Sequence, residues 1–381
     1  GFSDVACYGS EIPTPHIDKL AADGLRFTQF YNTARCCPTR ASLLTGLYSH
    51  QAGVGHMVAN MGVPAYQGYL NERCVTIAEV LKDNGYATMM VGKWHVGSDK
   101  QHWPTARGFD RFYGTPEGGG HYFKMLNNRT LVLDGKAIEP EAGWYATNAF
   151  TDYALRFLDE GPRDKPFFLY VAYTAPHWPL HALPEDIARH KGKYTAGWDE
   201  IRGKRHERQL ELGIVDKSWP LSPRDKTVPG WAQIPDKNEW DQRMAVYAAQ
   251  VECMDRNIGR LLEKLKQMGA EENTLVLFLS DNGGSAEKVD RGHKPGAVTG
   301  TADSYRCPEA HWAHVSNTPF RRYKLNMTKI ESRPSKRKAW EYFFFVDCDG
   351  HFHDRKVANA IVHLEQQCNF VKVLGSYPDT E

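Results

Sequence analysis

The chain has no apolar run approaching the roughly 20 residues that a helix needs to cross a bilayer, so no membrane span is expected. It also lacks an excess of charge of either sign. Lys and Arg number 47 against 46 Asp and Glu, leaving a formal charge of +1. Such a balance sets up no field for a polyanion, and nucleic acid is not an expected partner. Cysteine is scarce, with eight in 381 residues, too few for a disulfide scaffold at this length. Cys36 and Cys37 are adjacent, a poor geometry for a mutual bridge, so cysteine usage leaves the compartment open. An initiating Met and a leader are missing too, and the chain reads as one that begins inside a domain.

What is present is ordinary globular material. Hydrophobic residues make up 41% and charged residues 24%. This is enough for a large core and for one large α/β domain with an appendage. Thr14, Pro15 and Gly24 predict a capped helix over 15–23. Residues 25–31 read as a short strand. Residues 74–85 read as a helix, with Thr76 and Glu79 at capping-box spacing. Residues 86–91, 166–173 and 274–280 are continuous apolar runs, the pattern of strands covered on both faces. Helices are expected over 149–158 and 240–268. Residues 180–239 are rich in Pro, Trp and charge with little periodicity, and read as a surface excursion that shapes a cleft. Helices alternating with buried strands give an α/β fold with a mainly parallel central sheet flanked by helices.

Each apolar strand runs into a polar cluster: Gly92-Lys93-Trp94-His95, Thr174-Ala175-Pro176-His177 and Asp281-Asn282-Gly283-Gly284. Ligands of open α/β sheets bind beyond the carboxyl ends of strands, so these clusters are expected to converge. Lys93 and His95 are either a solvated Lys and a backbone-bonded His, or an oxyanion clamp with a proton shuttle. His177 is a packed loop histidine or part of the same site. Asp281 and Asn282 form a turn or offer two hard oxygen ligands. His293, His311 and His314 raise zinc, but their spacing fits no tight zinc motif.

The chain is organised around Cys36-Cys37-Pro38-Thr39-Arg40-Ala41-Ser42-Leu43-Leu44-Thr45-Gly46. Pro38 suits a first helical turn and Gly46 a helix end. Free N–H groups would then favour an anion at Cys36, and Arg40 adds a fork suited to tetrahedral oxyanions. Cys36 is read as a low-pKa nucleophile, a disulfide partner or an inert buried thiol.

Cys-x-Pro-x-Arg followed by Thr-Gly resembles the signature of the formylglycine-dependent sulfatases. The resemblance implies an alkaline-phosphatase-like fold over residues 1–324, without the family's first strand and C-terminal subdomain. It implies that Cys36 is oxidised to formylglycine by a maturing enzyme and that its hydrate attacks sulfur. It further implies that Lys93 and Lys324 hold sulfate, and that Arg40 helps hold the hydrate. His95 would assist sulfate release, and His177 would contact sulfate or the leaving oxygen. Asp281, Asn282 and the modified Cys36 would bind Ca²⁺ or Mg²⁺. The family's first strand ends in an Asp-Asp pair that supplies half the metal's carboxylates. This chain starts just after that pair's place, and Asp4 lies beyond it. A Ca²⁺ site short of its usual six to eight oxygens should bind weakly.

Residues 325–381 match no family pattern and form an atypical tail. It carries a basic loop at 332–338, a strand at 342–346 and a helix at 357–367. The expected activity is hydrolysis of aryl sulfates or sulfated sugars. The alternatives are a non-catalytic sulfatase-like fragment and a related phosphoesterase. Sulfatases are commonly exported, so the resemblance implies a periplasmic, secreted or lysosomal protein.

Overall fold

A computed structural model of the chain describes residues 1–320, 329–334, 342–347, 358 and 362. The chain divides into two compact units, Gly1–Lys324 and Leu325–Glu381. In the first, α1 (Pro15–Asp23) starts after Thr14, as its Pro predicts. Helix α2 (Cys36–Thr45) ends at Gly46, whose left-handed φ of 67° turns its N–H onto the Ser42 carbonyl. Helix α3 (Ile77–Asp83) carries the expected capping box between Thr76 and Glu79. Strand β1 (Ala87–Lys93) follows, then β2 (Arg111–Thr115), β3 (Leu131–Leu133) and β4 (Lys136–Ile138). Helix α4 (Ala146–Glu160) leads into β5 (Phe167–Ala172).

These strands form one sheet in the order β4-β3-β2-β1-β5. Its centre is parallel: β1 pairs with β2 and with β5. Its β3–β4 edge is antiparallel. Side chains alternate faces at the strand period of two. Met89, Val91 and Tyr113 pack with α4 residues Phe150, Ala154 and Phe157 on one face. Met90 and Phe112 pack with Ala41 and Leu44 of α2 and Ala78 of α3 on the other. Burial on both faces is why β1 reads as an unbroken apolar run. Gly92, at φ 98°, lies so near β5 that a Cβ there would run into the Ala172 carbonyl.

After β5 come α5 (Pro184–Ala188), α6 (Trp198–Glu211), α7 (Lys237–Gln267) and α8 (Glu309–Ser316). The segment 180–239 is therefore not a surface excursion. Its Leu180, Tyr194, Trp198 and Ile201 join Met244, Val246 and Trp312 in a second core. Apolar periodicity misses α6 because it buries Arg202, Arg205 and Gln209. Arg205, 1% exposed, donates to both Glu11 carboxylate oxygens at 2.7 and 2.9 Å and to Asp4 at 2.8 Å. Replacing Arg205 by Met should cost about 3–5 kcal/mol in urea unfolding, because both carboxylates stay behind with their cation removed. A loss under 1 kcal/mol would show that they resolvate freely.

Two expected strands do not form. Residues 25–31 and 274–280 enter no sheet. Leu25, Tyr31, Leu275 and Leu277 are 73–87% exposed. A strand needs a neighbour to bond, and neither run has one among the described residues. In the second unit β6 (Lys329–Pro334) pairs antiparallel with β7 (Tyr342–Asp347), which includes the strand expected at 342–346. Residues 332–334 of the expected basic loop belong to β6, and 335–338 lie outside the described residues. Of the helix expected at 357–367, Ala358 and Val362 are described and are helical.

Candidate functional site

Four chain segments bring their ends to one place. Helix α2 opens on Cys36, β1 ends at Lys93, the loop after β5 carries His177, and residues 281–282 follow the unpaired apolar run. A cavity of about 90 Å³ is lined by Arg40, Lys93, Thr174, His177, Asp281 and Asn282, among others. Cys36 and His95 are 3% and 8% exposed and are not part of that lining.

Cys36 Sγ lies 3.3 Å from His95 Nδ1. The Cys37 thiol donates to Cys36, the Lys93 charge lies close, and His95 bonds it. Together they hold the Cys36 thiol well below its ordinary value against burial, which opposes ionisation. The Cys37 thiol moves the opposite way, raised by burial and by its bond to Cys36. Burial, then Lys93, push His95 down to about 4, so its ring is neutral. His95 adopts a left-handed backbone, φ 64°. Gly118 packs on its ring: a Cβ there would lie 2.7 Å from Nε2. Gly118 itself has φ 118°, so an L side chain is strained there regardless of space. Gly118→Ala should therefore displace His95 and lower turnover at least tenfold in steady-state assays. Unchanged turnover would mean that the ring position is not needed.

His177 Nδ1 donates to the Trp178 carbonyl at 2.6 Å, which leaves Nε2 as its free ring atom. Burial and the Lys93 charge push this histidine down to about 4. Arg40, 4% exposed, donates from Nε to Asp281 Oδ2 at 2.6 Å and from Nη1 to the Lys93 carbonyl. Although burial opposes ionisation, Arg40 and then Lys93 hold the Asp281 carboxyl below its usual range. Asn282 Nδ2 donates to Asp281 Oδ1, and the buried Asn282 Oδ1 has no partner among the described residues.

That orphaned oxygen beside a carboxylate is the kind of donor a hard cation takes. Asp281 and Asn282 thus fit part of a Ca²⁺ or Mg²⁺ site. The Cys36 sulfur is a soft ligand and fits only once an oxygen replaces it. The zinc reading of His293, His311 and His314 gains no support. Among the described residues the one cluster of three potential ligands is Cys36, Cys37 and His95. His293 instead bonds the Tyr305 N–H, and His311 packs on Trp240. Asp4, left out of the ligand set, is held by Arg205 and by the Tyr247 hydroxyl. Lys324 lies outside the described residues. Sequence reasoning missed the loop of Gly118, Gly119 and Gly120 over His95 and Lys93; three consecutive glycines were its signal.

The family model described as Sulfatase matches residues 1–330. An uncharacterized sulfatase of Schizosaccharomyces pombe is 35% identical over 317 residues, covering 76% of this chain and 57% of that protein. An arylsulfatase of Klebsiella aerogenes is 34% identical over 348 residues, covering 85% of this chain and 74% of that protein. The chain thus spans little more than half the length of the first of these. Among solved structures, Ps i-CgsB in complex with k-i-k-neocarrahexaose superposes with a TM-score of 0.56 at 30% identity, covering 80% of this chain and 62% of that one. A structure in complex with its substrate D-glucosamine-2-N,6-O-disulfate gives 0.51 at 25% identity, covering 71% of this chain and 61% of that one.

Proposed function

Because the chain belongs to the sulfatase family of the alkaline phosphatase superfamily, we propose that it is a sulfuric ester hydrolase acting on aryl sulfates or sulfated sugars. The observation that carries this reading is the convergence of Cys36, Lys93, His95 and His177 with the Asp281–Asn282 oxygens. We assign the chemistry to residues 1–324.

Formylglycine made from Cys36 by a maturing enzyme supplies, as its hydrate, a hydroxyl nucleophile for sulfur. A cation held by Asp281 and Asn282 supplies charge neutralisation when bound. Lys93 binds a sulfate oxygen and offsets the charge that grows there during attack. Arg40 fixes Asp281 with Nε and the end of β1 with Nη1, which leaves Nη2 for an oxygen at position 36. His177, locked through Nδ1, meets the leaving oxygen with Nε2. It needs a proton to act as an acid, and the bound sulfate's negative charge favours its gaining one. Lys324 is the second candidate donor. His95, neutral at rest, takes the proton from the remaining hydroxyl at position 36 as sulfate departs.

The test is release of sulfate from an aryl sulfate by chain co-produced with a formylglycine-generating enzyme, with Ca²⁺ present. Turnover of the sulfate ester over the matching phosphate ester supports the reading. The reverse preference makes it a phosphoesterase. No turnover by converted protein makes it a sulfatase-like chain without catalysis. We further propose, from the resemblance alone, that the protein is periplasmic, secreted or lysosomal.

A further inference from the structure

Cys36 and Cys37 are both free thiols, so the disulfide reading of this pair does not apply. They occupy the first two positions of α2, and His95 meets them from the loop after β1. Both sulfurs and one His95 ring nitrogen lie within 4.8 Å of one another. Cys37 is fully buried, and Cys36 and His95 are 3% and 8% exposed. The hydrolase reading uses position 36 only after its sulfur has been replaced, and it assigns Cys37 no role. His95 is held in place: its main-chain N–H donates to the Pro116 carbonyl at 3.0 Å, and Gly118 backs Nε2 closely. Nδ1 therefore faces the sulfurs, 3.3 Å from Cys36 Sγ.

Donor atoms that share one thiophilic cation sit about 3.5–4 Å apart, given metal–ligand bonds of about 2.0–2.3 Å. The Cys36–His95 pair is already that close, and the other two pairs exceed the range by about 1 Å at most. Two thiolates and an imidazole suit a soft cation, as carboxylates and amides suit a hard one. The count of donors and charges then selects among soft cations. Zn²⁺ takes four ligands in closed sites. Here no fourth His, Cys, Asp or Glu joins the group among the described residues, and burial leaves little access for water. Cu⁺ is satisfied by three ligands of this kind. With two thiolates it leaves one net negative charge. Arg40, one turn along α2, and Lys93 both lie close enough for their charges to reach the Cys37 thiol. A neutral Zn²⁺ centre would gain less from those two cations.

We propose that the chain in which position 36 is still a cysteine binds Cu⁺ through Cys36 Sγ, Cys37 Sγ and His95 Nδ1. Binding forms two Cu–S bonds and one Cu–N bond, releases two thiol protons and changes no oxidation state. Conversion of Cys36 removes one of the two sulfurs and so dismantles the site. On the hydrolase reading, conversion exchanges a soft-metal site for the hard one that Asp281 and Asn282 offer.

The test titrates the chain, produced without a maturing enzyme, with Cu⁺ in oxygen-free buffer against the competing chelator bicinchoninate. The tightest equivalent should show two sulfurs and one nitrogen around copper by X-ray absorption. Cys37→Ser should weaken it at least about a hundredfold, and His95→Gln about tenfold. Converted chain should bind Cu⁺ no more tightly than Cys36→Ser does. Serine keeps the shape of cysteine, and urea unfolding without metal shows whether each variant folds. Should one fail to fold, the copper shell of the unaltered chain still decides. One sulfur only, sulfurs without nitrogen, or a fourth ligand would overturn the site, as would full affinity in folded Cys37→Ser. None of these readouts involves sulfate release, so the hydrolase reading stands or falls on its own test.

Discussion

Cys36→Ala should remove sulfate-ester turnover by a factor on the order of 10⁴ or more, the scale of losing a nucleophile. The fold should survive. Cys36 is 3% exposed, and the change deletes a single sulfur whose bonds go to His95 and Cys37. The stability lost should be about 1 kcal/mol, as for other small core deletions. A chromogenic aryl sulfate assay beside urea unfolding separates the two effects. Chain produced without the maturing enzyme should be as inactive as the alanine variant, because a buried thiolate is not a hydrate. If either retains sulfatase activity, Cys36 is not the nucleophile. Lys93→Ala should cost less than Cys36→Ala, since it removes one of several charges and not the attacking atom.

The fold should lose stability steeply as pH falls from about 6.5 to 4, before most carboxylates protonate. Four histidines pushed down by burial account for this: His95 and His177 of the site, described above, and two away from the cavity. His181, fully buried, donates Nε2 to the Ser304 carbonyl at 2.7 Å, and burial pushes it down to about 3. His314 is 1% exposed, neither ring nitrogen has a partner among the described residues, and burial pushes it down to about 4. In this window the unfolded chain takes up protons that the folded chain refuses, so acid favours unfolding. Each such group costs about 1.4 kcal/mol per pH unit, or about 6 kcal/mol for the four. A fold with the usual 5–15 kcal/mol does not long survive that slope. Urea midpoints at pH 7, 6, 5 and 4.5 measure it. His314→Leu should lower the slope by about a quarter, as one of four such groups. It should also raise stability at neutral pH by about 1–3 kcal/mol, since two unpaired buried nitrogens disappear. A flat profile between pH 6.5 and 4.5 would show that these rings protonate without unfolding.

The sequence displayed those parts of the fold that depend on local chemistry. Thr76 with Glu79 announced α3, Pro15 announced α1, and Gly46 announced the end of α2. The apolar run ahead of Lys93 announced β1 because both its faces are covered. The same logic failed at residues 25–31 and 274–280. Their composition is that of strands, but composition does not say whether a neighbour lies alongside. It failed at α6 for the opposite reason: Arg205 is interior because Asp4 and Glu11 meet it there, a pairing across about 200 positions. The site divides in the same way. Lys93 and His177 were legible as residues at or just past strand ends, and Asp281 as the polar residue after an apolar run. The Arg40–Asp281 pair, the Cys37 thiol beside Cys36 and the Gly118 contact with His95 are facts of three-dimensional proximity.

The close approach of β1 to β5 at Gly92 bears on how such a chain can change over generations. A side chain at Gly92 has no room, and one at Gly118 must displace the His95 ring. Random single substitutions at these two positions are therefore almost all losses, whatever the new residue's polarity.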